Sequence, residues 1–321
     1  MTKKIQKNSK KTPIGHWLAI GLFANLLFLP SGIFIKLITN EVDPAVFTAV
    51  RYSVAFLALL PFVISGIKKH RKLFLKKLPV ILVISVVSAI TPVLNATALS
   101  IANVSFVAVL ELFAPIVFAI IAFIIIKEKV SRNSVIGILF AALGGMAIFV
   151  LPTLIGSGGV ITFGWLPVIL CAIVVVMNSI WQVYLRKIHE EGLPLLVLTG
   201  ISFMFASLAS IGVMLSSSVS EAFFGLGELS IDGWLMILYL AIVASGFARF
   251  LTVRSHEKLG TATQTTIIYL HYAASIILPI IILGETMSFE MIIGTILILV
   301  GIIFTRMHYR KHHFHHIGGH H

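Results

Sequence analysis

The chain has 321 residues, of which 58% are hydrophobic and only 11% are charged, and its mean hydropathy is +1.05. This composition excludes an ordinary soluble protein and indicates a chain whose surroundings are mostly lipid. A formal net charge of +12 would suit a nucleic-acid partner, but the distribution of the basic residues along the chain excludes that class.

Ten apolar runs follow one another along the chain, and each is long enough to cross a hydrocarbon core about 30 Å thick as a helix. We name them spans 1 to 10; they lie near residues 15–38, 45–66, 78–99, 103–126, 133–151, 163–186, 193–215, 232–254, 261–283 and 288–307. Backbone groups in lipid must be hydrogen-bonded within their own segment, so the runs are predicted to be α-helices.

The basic residues concentrate on one side of the predicted membrane. If the N-terminus is cytoplasmic, 21 of the 24 Lys and Arg residues fall in segments on the inner side. The segments expected outside carry acidic residues instead, namely Glu41, Asp43, Glu221, Glu228, Asp232, Glu285 and Glu290. This asymmetry predicts that both termini are cytoplasmic. Topology and anionic lipid headgroups account for the positive charge, so no nucleic-acid partner is predicted.

Polar side chains inside the first four spans are candidate functional residues, because an ionisable group in lipid costs about 2.5 kcal/mol or more unless it faces a cavity or a partner. Asn25 lies in span 1 and Asn95 lies in span 3. Glu111, in span 4, is the one charged residue in the run 103–126. Arg51, in span 2, is interpreted as a structural cation that pairs with a carboxylate or with carbonyl groups.

The second half carries a further set of polar and aromatic candidates: Asn178, Trp181, Gln182, Arg249, Gln264, His271 and Tyr272. Trp181 offers a flat wall for a ring or an apolar group, and His271 can exchange a proton in the cellular pH range. Arg249 could hold a substrate carboxylate, or pair with a helix C-terminus or with Glu111. An alternative for the amides is that they hydrogen-bond across helices and hold the bundle together. No cofactor is predicted, and the His-rich C-terminal tail lacks the fixed spacing of a metal site.

The chain contains an internal repeat. A shift of 157 residues aligns spans 4 and 5 with spans 9 and 10 without a gap, so that Gly137 and Gly144 meet Gly294 and Gly301. Each half has five spans, an odd number, and the two copies are therefore predicted to cross the membrane in opposite senses. Inverted repeats of this kind are the architecture of secondary transporters.

The repeat also sets the predicted domain boundaries. They are a basic cytoplasmic tail at 1–14, a first five-helix repeat at 15–151, an extracytoplasmic linker at 152–162, a second five-helix repeat at 163–307 and a His-rich cytoplasmic tail at 308–321.

Two stretches carry a family resemblance: IIIKEKVSRNSVIGILFAALGGMAIF, residues 124–149, and RSHEKLGTATQTTIIYLHYAASIILPIIILGETMSFEMIIGTILILVGIIF, residues 254–304. AVRYSVAFLALLPF, with Arg51, and YLAIVASGFARF, with Arg249, add to it. Together they resemble the paired EamA domains of the drug/metabolite transporter superfamily. The resemblance implies an all-α membrane protein of ten transmembrane helices in two inverted five-helix repeats, which moves small metabolites, most often outward. The chain departs from the family pattern at LHYAAS, where an acidic residue and a proline are common, and at Arg249, where an aromatic residue is common.

The sequence therefore predicts a secondary transporter of the bacterial cell inner membrane that works by alternating access, and not an enzyme. Its expected partners are the lipid bilayer and a small-molecule substrate: an amino acid, an amino-acid derivative, a similar polar or amphipathic compound, or a drug. In the leading hypothesis the substrate is zwitterionic or cationic. Glu111 then supplies the acidic element for proton coupling, and His271 or Arg249 binds the carboxylate end.

Three alternatives stay open at this point: uptake or passive exchange of a phosphorylated metabolite or nucleotide sugar, a membrane-embedded enzyme, and a channel. The sequence is compatible with a monomer or a homodimer.

Overall fold

The computed structural model describes residues 14–127, 132–151, 164–216, 226–227, 229–258 and 261–307, and every regular element within these ranges is a helix. Seven helical segments are long and apolar enough to cross a membrane. Three shorter apolar helices, Val135–Phe149, Leu270–Leu283 and Phe289–Phe304, bring the number to the ten predicted spans. Both predicted tails and the linker at 152–162 lie almost wholly outside the described residues.

Six spans are uninterrupted helices: Pro44–Lys69 (span 2), Arg132–Phe149 (span 5), Leu166–Glu190 (span 6), Leu195–Ser216 (span 7), Thr261–Leu283 (span 9) and Phe289–Met307 (span 10). Span 2 has a well-defined start. The Asp43 side chain accepts hydrogen bonds from the backbone N–H groups of Ala45, at 2.7 Å, and Val46, at 3.4 Å. Pro44 occupies the first helical position, where its missing N–H costs nothing.

Four spans are interrupted, which the apolar pattern did not predict. Span 1 consists of Ile14–Phe28 and Ser31–Thr39, span 3 of Arg71–Ala89 and Thr91–Ile101, span 4 of Val104–Glu111 and Ala114–Ile126, and span 8 of Ile231–Leu238, a π-helical segment Tyr239–Ala248 and Arg249–Lys258. In the first three, Pro30, Pro92 or Pro115 lies at the interruption. Proline has no N–H to donate and its ring collides with the preceding turn, so each break has a local cause.

Span 3 also begins earlier than predicted. Its helix starts at Arg71, inside the basic segment that was expected to lie between two spans. Lysine and leucine are good helix formers, and long basic side chains can place their charges in water while their methylene stems stay in apolar surroundings. The helix can therefore extend past the hydrocarbon region.

Spans 5 and 10 pack against each other through glycines that are equivalent in the two repeats. A Cβ on Gly144 would lie 2.7 Å from the carbonyl oxygen of Gly294, and a Cβ on Gly301 would lie 2.5 Å from that of Gly137. The repeat relates Gly144 to Gly301 and Gly294 to Gly137, so it converts one contact into the other, which is the pattern that a two-fold axis produces. The paired residue numbers run in opposite directions, so the helices are antiparallel and the two repeats are inverted.

Spans 2 and 7 show a second self-complementary contact. Both carry the pattern Val-x-x-Gly, at Val63 and Gly66 in span 2 and at Val197 and Gly200 in span 7. A Cβ on Gly66 would overlap the Val197 side chain, and a Cβ on Gly200 would overlap that of Val63. Small residues let helices in lipid approach closely, so this pair holds two equivalent spans together across the same axis.

The two ends of the bundle are tied by different contacts. We call the end with the turns at 39–44, 101–104 and 283–289 the acidic end. There, both oxygens of the Glu285 carboxylate accept hydrogen bonds at 2.8 Å, one from the N–H of Val104 and one from that of Ser105, and so cap the start of span 4. Lys36 Nζ donates to the carbonyl oxygens of Ser100 and Ala102, at 3.0 Å each. Glu285 of repeat two and Lys36 of repeat one thus both stabilise the turn between spans 3 and 4.

The opposite end, which we call the basic end, has its turns at 69–71 and 190–195. Lys77 forms an ion pair with Glu191 there. The hydrogen bond and the charge of Lys77 hold the pKa of Glu191 below its ordinary value. The contact joins span 3 to the turn between spans 6 and 7, and therefore links the two repeats at this end.

The outer surface of the bundle is apolar. Large side chains such as Ile124, Val83 and Leu57 are more than 60% exposed. A water-soluble protein rarely exposes a surface of this kind, and in this fold it faces lipid.

Candidate functional site

A cavity of about 380 Å³ lies inside the bundle. Among the described residues, its lining side chains come from spans 1 to 4 and from spans 6 to 9, so both repeats contribute. A volume of this size falls in the range that accommodates a small molecule. The cavity therefore lies between the repeats, where secondary transporters of inverted-repeat architecture bind their substrates.

The interrupted spans meet at this cavity. Phe28 at the break in span 1, Pro92 at the break in span 3 and Glu111 at the break in span 4 all line it. Arg249, the first residue after the π-helical segment of span 8, also lines it. Irregular backbone at membrane depth is tolerated only where it is buried in protein or borders a cavity. The position of the cavity therefore accounts for the positions of the breaks.

Glu111 and Asn95 form a direct contact in the cavity wall. Asn95 Nδ2 donates a hydrogen bond of 2.7 Å to Glu111 Oε1. Glu111 is the last residue of the first half-helix of span 4, and Asn95 lies in the second half-helix of span 3. The bond fixes one carboxylate oxygen and leaves the other oxygen available to a proton or a ligand.

Arg249 and His271 each present one nitrogen atom to which the described residues offer no partner. Arg249 Nε and His271 Nδ1 are buried and make no hydrogen bond among the described residues. The Arg249 guanidinium lies 5.4 Å from the centre of the Phe28 ring. A buried donor without a partner costs about 1–3 kcal/mol, and more if it is charged. Both side chains line the cavity, so a bound ligand could satisfy them.

Arg51 also lines the cavity, together with its neighbour Tyr52. Its Nε donates to Ser245 Oγ at 3.2 Å, and its guanidinium lies 5.2 Å from the Tyr52 ring centre and 5.9 Å from that of Phe47. The expected carboxylate or carbonyl partner is not found among the described residues. The sequence signal for a place in the cavity wall was a charged residue inside a span, with no acidic residue near it in sequence.

Trp181 and Asn178 form part of the wall from span 6. Trp181 Nε1 donates to Ser202 Oγ at 2.8 Å, and the indole ring is therefore held in one orientation. Thr91 Oγ1 lies 3.3 Å from Asn178 Oδ1 and 2.7 Å from the carbonyl oxygen of Ser88. Ser202 and Thr91 were not predicted from the sequence as site residues. Trp181 and Asn178, the side chains that they contact, were predicted.

Three of the residues singled out from the sequence, Asn25, Gln182 and Tyr272, are not among those that line the cavity. Asn25 Nδ2 donates to the carbonyl oxygen of Gly21, one turn earlier in the same helix, at 2.9 Å. Gln182 is exposed on the outer surface of span 6. Tyr272 packs against apolar core residues, with its ring centre 6.2 Å from that of His271. Gln264 lies on the helix of span 9, but its side chain falls outside the described part of the chain.

The geometry offers no metal site within the described ranges, where no group of three or more His, Cys, Asp and Glu side chains is placed to hold an ion. Cys171 is buried and reduced, and packs in the apolar core. The His-rich segment at 308–321 lies outside the described residues.

Comparison with known proteins identifies the family. The sequence profile of the EamA-like transporter family matches residues 13–150 and, a second time, residues 165–307. The chain belongs to the EamA-like transporter family. This EamA-like protein is accordingly a member of a transporter family and is built from a duplicated unit, as the two matches and its two inverted repeats show.

Two individual proteins resemble this EamA-like chain. An uncharacterized transporter from Clostridium kluyveri is 24% identical over 188 residues, which cover 57% of this chain and 57% of that relative's own length. The match thus spans little more than half of the relative. A solved structure, titled only as the crystal structure of a protein, aligns with a TM-score of 0.59 at 18% identity, over 92% of this chain and 98% of the other. At this identity the likeness concerns the fold.

Proposed function

We propose that this protein exports a small metabolite with a carboxylate group, such as an amino acid or an amino-acid derivative, across the bacterial cell membrane by alternating access coupled to protons. The family supports membrane transport as such. The observation that carries the finer proposal is the presence of Glu111, Arg249 and His271 around a single cavity between the repeats.

The charges in the cavity suit a ligand with two differently charged ends. Arg249 Nε has no partner among the described residues and can donate to a carboxylate, and His271 Nδ1, also without a partner there, can donate when the imidazole is protonated. Glu111 is held by Asn95 through one oxygen and can accept a bond from a substrate ammonium group, or take up a proton, through the other. Exchange of a proton for the ammonium group at Glu111 would couple the two movements.

The fold suits alternation between two open states. The repeats are related by a two-fold axis and meet at the cavity, so that rocking one against the other can expose the cavity to either side in turn. The repeats are joined at the acidic end by Glu285 and the N–H groups of Val104 and Ser105, and at the basic end by Lys77 and Glu191. These are among the contacts between the repeats that must break when each end opens.

The first test replaces Glu111 by Gln in purified protein reconstituted into liposomes. Glutamine has the same shape and can keep the hydrogen bond to Asn95, but it cannot release a proton. We expect transport of the substrate to lose its dependence on a pH gradient, and the rate driven by that gradient to fall about 10-fold or more, as for loss of a charge-assisted interaction. The measurement is uptake or counterflow of labelled amino acids and their derivatives at two pH values.

Glu190→Gln is the matched control, because Glu190 is an exposed carboxylate at the basic end, outside the cavity. It should retain the pH dependence of the wild type. Unchanged transport and unchanged pH dependence in Glu111→Gln would remove Glu111 from the mechanism.

A second candidate is passive exchange of a phosphorylated metabolite or nucleotide sugar. The observation that favours it is that Arg51 lines the same cavity as Arg249, since two guanidinium groups can bind a phosphate. Counterflow of a sugar phosphate without a pH gradient, at a rate that Glu111→Gln leaves unchanged, would select this candidate over the first.

A further inference from the structure

The cavity contains two arginines that have no acidic partner among the described residues. Arg51 and Arg249 both line it, and Arg249 lies within electrostatic range of Arg51 and of Tyr52. Among the described residues, neither guanidinium pairs with a carboxylate. Their neighbours are the Ser245 hydroxyl, at 3.2 Å from Arg51 Nε, and the aromatic rings of Phe28, Phe47 and Tyr52.

Two positive charges in this position are unfavourable without an anion. Removal of each charge from water costs several kcal/mol, and the charges also repel each other. The one carboxylate among the described lining residues is Glu111, which is hydrogen-bonded to Asn95 and forms no ion pair with either arginine. Even with Glu111 ionised, the cavity lining therefore has an excess of one positive charge.

A zwitterionic ligand does not remove this excess, because its own charges cancel. A ligand with a net charge of −1 balances the cavity and also gives each guanidinium a group to bind. Arg presents its donors in a planar fork that matches carboxylate and phosphate oxygens. Such bonds are stronger in a protein interior of low dielectric constant than in water.

We propose that Arg51 and Arg249 together form an anion site for the substrate, and that the bound substrate carries a net negative charge. Within the amino-acid-like compounds of the proposed function, on which this inference rests, the substrate class is an acidic amino acid or a related compound with a second carboxylate or a phosphate. Arg51 is then a specificity-determining residue as well as a structural one.

The test measures binding and needs no transport. Purified protein in detergent is titrated with glutamate and with glutamine, which have the same shape and differ by one negative charge, and apparent Kd values are obtained from the ligand-induced rise in unfolding temperature. We expect glutamate to bind about 10-fold or more tightly than glutamine, as for one charge-assisted interaction. Serine and O-phosphoserine form a second matched pair, and the better binder of glutamate and O-phosphoserine tells whether carboxylate or phosphate is preferred.

Three variants assign the preference to the arginine pair. Arg51→Gln and Arg249→Gln should each abolish the preference for glutamate over glutamine, whereas Arg51→Lys, which keeps the charge but not the fork, should retain part of it. Arg132→Gln is the matched control, because Arg132 is exposed at the basic end, and it should bind as the wild type does. If Arg51→Gln does not fold, Arg249→Gln provides the same test.

The outcomes separate this inference from the proposed function. Equal binding of glutamate and glutamine by the wild type, or a preference that survives in both Gln variants, overturns the anion site while leaving amino-acid transport possible. A preference that depends on both arginines, in a protein that moves none of these compounds in liposomes, supports the site and counts against the proposed function.

Discussion

The indole ring of Trp181 is held at the cavity wall by a hydrogen bond of 2.8 Å from Nε1 to Ser202 Oγ. A fixed ring gives a substrate apolar contact at little cost in side-chain entropy. We expect Trp181→Ala to weaken substrate affinity about 5-fold or more, which corresponds to the loss of about 1 kcal/mol of aromatic contact. Trp181→Phe should recover most of the affinity, since it keeps a ring. The measurement is the KM for transport in liposomes.

Trp165→Ala is the matched control for this prediction. Trp165 is 60% exposed and stacks on Phe149, with ring centres 6.4 Å apart, outside the cavity. Its replacement should leave KM unchanged. Equal effects of the two substitutions would mean that Trp181 acts through stability and not through contact with the substrate.

Single residues differ in how far their place could be predicted. Glu111 and Arg249 were singled out because a charge in lipid requires a cavity or a partner, and both line the cavity. The same reasoning did not separate Asn25 from them, because an amide can satisfy itself on the backbone of its own helix, as Asn25 does on Gly21. Gln182 follows Trp181 directly, and a step of one residue turns a helical position by about 100°, from the cavity to the surface.

The helices themselves were predicted in number and approximate place, but their interruptions were not. A hydropathy run records only that a segment is apolar, and it stays apolar through Pro30, Pro92 and Pro115. Proline breaks a helix where neighbouring segments or a cavity can accept the freed backbone groups, and that depends on tertiary packing. The cavity and the interruptions both depend on tertiary packing and could therefore be identified only in the folded structure.

Close helix packing at glycines gives a prediction at the level of elements. Gly144→Ala places a methyl group against the carbonyl oxygen of Gly294 and the Ile298 side chain, both 2.7 Å from the new atom. Span 5 must then move away from span 10, and we expect a loss of about 1–3 kcal/mol of stability, the usual cost of overpacking. The measurement is the unfolding temperature of the purified protein in detergent.

Gly212→Ala provides the control, because Gly212 lies within the helix of span 7 and a Cβ there would meet nothing within 4 Å. Alanine favours a helix over glycine by about 1 kcal/mol, so this variant should unfold at the same temperature as the wild type or higher. A Gly144→Ala protein as stable as Gly212→Ala would show that spans 5 and 10 are not in close contact.

At the scale of the molecule, the duplication was predictable because its signal is carried by residues that both copies need. The spacing between the two glycines is the same in both copies because these glycines form the self-complementary contact between spans 5 and 10. They are Gly137 and Gly144 in the first copy, and Gly294 and Gly301 in the second. The Val-x-x-Gly pair of spans 2 and 7 was not recognised, because Val63 and Val197 are separated by 134 residues and not by 157. The loops between the spans differ in length between the two halves, so no single shift aligns both pairs of spans. The two contacts nevertheless share one axis.

The orientation of the bundle gives the last prediction. The basic end carries Lys68, Lys69 and Arg71, and the acidic end carries Asp43 and Asp232; positively charged turns remain on the cytoplasmic side during insertion, so the basic end should be cytoplasmic. Cys171 is the chain's single cysteine and is 2% exposed, so Cys171→Ala gives a background for single reporters.

A membrane-impermeant maleimide applied to intact cells should label Asp232→Cys in that background, and should label Lys69→Cys only after the membrane is permeabilised. Both positions are exposed in the structure, so accessibility within the protein is matched. Labelling of Lys69→Cys in intact cells, with Asp232→Cys protected, would reverse the orientation. Because the repeats are inverted, such a reversal would leave the cavity and its two openings in place and exchange only which membrane face each opening meets, and with it the direction of proton-driven movement.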